Sequence, residues 1–99
     1  LHSTPINALD FEKPLIEWLD QYSKNPSKQT IMVAHFEHLE TSGSLCLLNI
    51  FNRLESIYRN KNQLVIYWYY KEGDMDMLEA GEDFASIVRV PFKMISYQV

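Results

Sequence analysis

The sequence predicts an α/β fold in which helices alternate with apolar strands around a mostly parallel sheet. Three observations predict it. Two segments, Thr30 to Phe36 and Leu64 to Tyr70, are apolar at consecutive positions, as expected of strands covered on both faces. Between them Leu45, Leu48, Phe51, Leu54 and Tyr58 recur at helical spacing. The resulting order of helix, strand, helix, strand, helix, strand supplies crossovers of the kind that parallel pairing requires.

Thr4-Pro5 or Asn7 can open the first helix, because proline suits the first helical position and asparagine accepts from early backbone N–H groups. Leu9, Leu15, Ile16, Leu19 and Tyr22 then follow at helical spacing, with Trp18 beside that stripe. Pro14 falls inside the pattern and brings no N–H donor, so a kink or a restart is expected there. Ser23-Lys24-Asn25-Pro26-Ser27 is a loop by composition. The first strand is expected to run from Thr30 toward Leu39, and the long helix from Leu45 to Tyr58. Leu47 and Ile50 broaden the apolar face of that helix, while Asn49, Asn52, Arg53 and Arg59 mark its polar side and Asn60-Lys61-Asn62 ends it. In the second strand, alternation sends Tyr67 and Tyr69 to one face and Trp68 and Tyr70 to the other. Lys71-Glu72-Gly73-Asp74 turns the chain, with Asp74 as N-cap of a helix through Met75, Leu78 and Phe84. Phe92 to Val99 reads as a last strand started after Pro91. Three strands are few for such a sheet, and an N-terminal strand pair is expected to be missing.

Ninety-nine residues make one domain, spanning 1–99. Apolar residues at 46%, with 13% aromatic, exclude disorder. A formal charge of −4 argues against nucleic acid, whose phosphates need a basic face. No run of apolar residues is long enough for a membrane span, and Leu1-His2-Ser3-Thr4-Pro5 shows no signal-peptide pattern. The lone Cys46 lies in a helical pattern with no adjacent base, which suits a buried, inert thiol in a reducing cytoplasm.

Few residues carry the chemistry of catalysis. His35 and His38 differ by three within the expected strand, so they point to opposite faces and share no ion. Asp74, Asp76, Glu79, Glu82 and Asp83 are acidic, but Leu78 and Glu79 stand where a calcium loop needs a ligand and a glycine. Those carboxylates suit a helix start and solvated face, or a surface for a basic partner. Thr41, Ser42 and Ser44 lack a Gly-x-Ser-x-Gly arrangement, and the three glycines are isolated. No cofactor is called for. Tyr69 and Tyr70, at the end of the aromatic strand, are the aromatics best placed to meet a partner.

Glu40-Thr41-Ser42-Gly43-Ser44 is the most informative stretch. It lies at a strand-to-helix turn, where a hydroxyl can cap the helix at about 1 kcal/mol. A phosphate added there would instead bring a charge of roughly −1.5 to −2 to a helix start that welcomes anions. Glu40 would oppose it. Spacing leaves cap and switch equally open.

Two resemblances bear on that choice. Glu40-Thr41-Ser42-Gly43 resembles the Asp-Ser-Ser-Gly turn of STAS-domain anti-sigma-factor antagonists, in which the first hydroxyl after the acid is the phosphosite. A longer match is to the SiaC-type bacterial regulatory phosphoproteins, a STAS-like family. It runs through Ser3-Thr4-Pro5-Ile6-Asn7, Pro14-Leu15-Ile16-Glu17-Trp18-Leu19, Thr41-Ser42-Gly43-Ser44 and Trp68-Tyr69-Tyr70, then from Asp76 to Phe84 and on to Pro91-Phe92. That resemblance implies a non-enzymatic switch. A partner serine/threonine kinase would phosphorylate Thr41, with Ser42 and Ser44 as backup acceptors, and a PP2C-type phosphatase would reverse it. The unmodified form would engage a target such as a diguanylate cyclase. The partner surface would include Glu40, Ser42, Gly43, Tyr69, Tyr70, Asp74 and Asp76. Glu40 and Gly43 replace the asparagine and second serine of the family's Asn-Thr-Ser-Ser turn. The family also begins with a β-hairpin, whose absence would leave a sheet edge open to an edge-paired homodimer. An anti-sigma-factor antagonist is the alternative within the class, and a small ligand-binding domain or enzyme the alternative outside it.

Overall fold

The structure, a computed structural model, describes the backbone of residues 2–3, 8–59 and 63–99. Its elements are β1 (His2–Ser3), α1 (Ala8–Tyr22), β2 (Gln29–Phe36), α2 (Thr41–Arg59), β3 (Gln63–Lys71), α3 (Met75–Ile87) and β4 (Phe92–Tyr97). The four strands form one sheet in chain order, and every neighbouring pair is parallel. The α/β layer fold is thus the one expected, with a two-residue edge strand that was not. β1 meets only His35 and Phe36, so the outer edge of Gln29–Ala34 has no strand partner among the described residues.

Each crossover advances the sheet in the same direction. Right-handed connections therefore set all three helices on one face. Burial follows this division. Ala34, Phe36, Leu64, Ile66 and Trp68 are buried beneath the helices, whereas Ile31, Val33, His35, Val65, Tyr67 and Tyr69 alternate with them and keep solvent exposure. The sequence reading placed both strands under cover on both sides. The structure corrects it, because among the described residues these strands, apolar on both faces, have helices on one face only. The predicted alternation of the aromatic strand does hold: Trp68 is buried, and Tyr69 shares the open face with His35 and Tyr97.

α1 runs unbroken through Pro14, so the restart does not occur; tertiary packing on α2 carries the helix past the missing donor. Trp18, placed beside the stripe, is 58% exposed and stacks flat on Tyr22 with ring centroids 5.1 Å apart. The residues expected to open α1, Thr4, Pro5 and Asn7, lie outside the described residues, as do Asn60, Lys61 and Asn62. The face that α2 buries is also rotated from the expected one. Cys46, Leu47, Ile50, Phe51, Leu54 and Ile57 are buried, while Leu45 and Tyr58 are exposed. Two adjacent i, i+3/i+4 rows compete in that sequence, and the row centred on Ile50 and Phe51 is the one that meets β3. Phe51 makes edge contacts with Trp68, Phe84 and Phe92, joining α2, α3, β3 and β4 in one core.

Candidate functional site

β2 ends at Phe36, three residues short of the expected Leu39. Glu37 to Glu40 form a connection whose Leu39 packs against the core, and α2 begins at Thr41. Thr41 is therefore the first helical residue, and Glu40 occupies the cap position. The only hydrogen bond that closes this turn among the described residues is backbone to backbone, from Ser44 N to Glu40 O at 2.9 Å. Glu40 does not reach back over the helix start. Its carboxylate lies 3.6 Å from His38 Nε2, and both side chains are well exposed. Thr41 and Ser42 are exposed too, and no side chain among the described residues accepts from the first-turn N–H groups of α2. The cap reading of Thr41 or Ser42 is thus not met. Their hydroxyls sit inside the helix, where the cap role has already passed to Glu40.

Gly43 sits close over Leu39. A Cβ at this position would lie 3.1 Å from Leu39 Cδ1, so the glycine lets that leucine tuck beneath the first turn.

Parallel strands bring the ends of β2 and β3 side by side, with His35 in register with Tyr69. The starts of α2 and α3 consequently share one edge of the sheet. Asp74 caps α3, its Oδ1 accepting from Met77 N at 3.1 Å, and Asp76 lies in the first turn. Gly73 before it has φ +90°, a left-handed conformation that glycine adopts at little cost. Glu37, Glu40, Glu72, Asp74 and Asp76 lie at this edge, against Lys71 as the one cation among its described residues, an excess equal to the formal −4 of the whole chain. The expected partner-binding residues are not all on one surface, however. Glu40 to Ser44, Asp74 and Asp76 share the edge, but Tyr69 faces the open side of the sheet and Tyr70 the helix side, packed against the core.

Sequence reasoning missed Leu45. Assigned to the buried face, it is 66% exposed, one turn beyond Thr41 on the same side of α2. The only signal for it was the competing row of apolar residues at 46, 47, 50 and 51.

Catalytic groups are sparse. Burial, with a smaller push from the nearby charge of Glu12, raises the Cys46 thiol to about 11, so it stays protonated through the neutral range. Among the described residues no group of three or more His, Cys, Asp or Glu side chains is arranged to hold a metal ion. Nor is any helix among them long and apolar enough to cross a membrane.

Comparison with known proteins places this geometry. No curated protein sequence matches the chain. Among solved structures it is similar to a chain in the crystal structure of the diguanylate cyclase SiaD in complex with its activator SiaC from Pseudomonas aeruginosa, with TM-score 0.81 and 18% identity over 94% of this chain and 76% of that one. It is also similar to SiaC of Pseudomonas aeruginosa, with TM-score 0.78 and 18% identity over 94% and 74% of the two chains. The apo form of SiaC gives TM-score 0.77 over 92% and 74%, again at 18% identity. At that identity the likeness speaks for the fold. The model of the SiaC family regulatory phosphoproteins matches residues 2–97, nearly the whole chain, and the chain belongs to that family.

Proposed function

We propose that this protein is a non-enzymatic phosphorylation switch, in which a kinase modifies Thr41, a PP2C-type phosphatase restores it, and the modification controls docking on a target protein. The observation that carries this reading is the state of the α2 start. Thr41 is exposed, its hydroxyl caps nothing, and the first-turn N–H groups next to it have no side-chain acceptor among the described residues. Ser42 and Ser44 stand in the same turn as backup acceptors. A phosphate of roughly −2 charge would be drawn to the helix dipole and repelled by Glu40, changing local charge while the buried face of α2 stays in place. The proposed target is a diguanylate cyclase rather than an anti-sigma factor, because the SiaC relative of the same fold is the activator of such a cyclase. Asp74 and Asp76 would complete the docking edge, with Tyr69 at its open-face margin and Tyr70 packed behind it against the core.

Mass mapping of the protein purified from its own host tests the site. Phosphate on the Thr41-containing peptide is expected, and phosphate confined to other residues overturns the assignment. Thr41→Glu should weaken binding to the target captured with the unmodified protein, while its circular dichroism spectrum stays native. Unchanged affinity would remove the switch.

A further inference from the structure

α1 and α2 pack side by side, with a groove between them. Within it lies a hollow of about 530 Å³ lined by Glu12, Lys13, Ile16, Glu17 and Asn49. That volume is in the range of small binding pockets. Its Ile16 packs against the core, and its rim is polar and built: Asn49 Nδ2 donates to Glu12 Oε1 at 2.7 Å, fixing a carboxylate at the mouth. Arg53 and Asp20 close the far end of the helix pair with an ion pair. Leu45 lies one turn before Asn49 on the same side of α2, 66% exposed and aimed away from the core. Thr41 to Asn49 is eight residues, about 12 Å along the helix axis. The helix pair thus offers an apolar hollow and, on α2 between that hollow and the modification site, an apolar knob. Its charged wall is mainly acidic, with Glu12 and Glu17 against Lys13.

We propose that this groove seats an amphipathic segment of a partner protein, one apolar side chain entering the hollow over Ile16, a second packing on Leu45, and flanking lysines or arginines meeting Glu12 and Glu17. Charge selects the occupant. A second copy of this chain, itself net acidic, would bring like charge to the wall, whereas a basic amphipathic segment complements it. The inference gives the proposed switch its partner chemistry and rests on that reading only for its regulatory consequence. A phosphate on Thr41 would stand one turn from Leu45 on the same side and would have to lose water when that leucine docks, which opposes binding even to a basic partner.

Three synthetic peptides of equal length test it by titration into the full ¹⁵N-labelled chain: an amphipathic Leu/Lys peptide, a Ser/Lys peptide of the same charge, and a Leu/Glu peptide of the same apolar pattern. The Leu/Lys peptide should shift the amide resonances of Ile16, Leu45 and Asn49, and each of the other two should bind at least about tenfold more weakly. Leu45→Asp and Glu17→Lys, both at exposed positions, should each weaken the Leu/Lys peptide about tenfold with an unchanged circular dichroism spectrum. Equal binding of Ser/Lys, binding of Leu/Glu, no binding at all, or shifts centred on Tyr67, Tyr69 and Ile95 of the open face would each overturn the proposal. A phosphate found elsewhere than Thr41 would leave the peptide result standing, and failure of the peptide would leave the Thr41 assignment standing, so the two readings fail separately.

Discussion

The two helices that follow β2 and β3 begin at the same edge of the sheet, yet their first turns are finished in opposite ways. α3 is sealed. Asp74 spends its carboxylate on Met77 N, its carbonyl accepts from Leu78 N, and Trp68 Nε1 donates to Met77 O at 2.9 Å from the strand below. Gly81, one turn further on, lets the helix lie directly on the Trp68 indole. α2 keeps only the backbone bond at its start, from Ser44 N to Glu40 O, and among the described residues it has neither a side-chain cap nor a bond from the strand below. Its cap residue pairs sideways with His38, and its first-turn hydroxyls face solvent. A helix start that is already satisfied by its own carboxylate has nothing to offer an added anion. One that is left to water can accept a phosphate without breaking anything that holds the fold.

Four substitutions test that contrast, in falling order of effect. Gly81→Ala should cost the most, about 3 kcal/mol in urea unfolding, because a Cβ there would lie 2.6 Å from Trp68 Nε1 and 2.8 Å from Cγ. A cost below about 1 kcal/mol would mean that α3 can lift off the indole and is not fixed by it. Trp68→Phe should cost about 2 kcal/mol, since it removes indole volume from the core and the hydrogen bond to Met77 O. Asp74→Ala should cost about 1 kcal/mol, the ordinary value of a lost N-cap. Thr41→Ala should change stability by less than about 0.5 kcal/mol, as for an exposed residue that makes no special contact. If Thr41→Ala instead matched Asp74→Ala, the threonine hydroxyl would be a cap in solution and the contrast between the two helix starts would collapse.

Much of this was legible in the chain, for local reasons. Asp74 after a glycine-containing turn is a helix cap whatever surrounds it, and the alternation of Tyr67 to Tyr70 follows from strand geometry alone. Helices alternating with apolar strands identified the layer fold, because few packings satisfy that order. What escaped was decided by the assembled structure. Neighbouring apolar rows on α2 differ by a rotation of one residue, and only contact with β3 chose the row that left Leu45 outside. Ile31 and Val33 look as apolar as Met32 and Ala34, so nothing in the string revealed that helices cover one face alone. Thr41 and Ser42 are exposed at the turn as expected, but their capping role depended on where β2 stopped, and strand ends are poorly marked when Glu37 and His38 are followed by Leu39. The hollow between α1 and α2 brings together residues 12 and 49, and no local pattern reports such a pairing.

Confining the helices to one side of the sheet also divides the labour within each strand. In β2 and β3, the residues at 34, 64, 66 and 68 are bound to one another by volume, so any change there must be answered by its neighbours. The residues between them, at 31, 33, 65 and 67, answer to no facing layer among the described residues. One ribbon of backbone therefore carries two interleaved texts, read from opposite sides. The first is tied to the fold, and the second can be rewritten while the first stays intact.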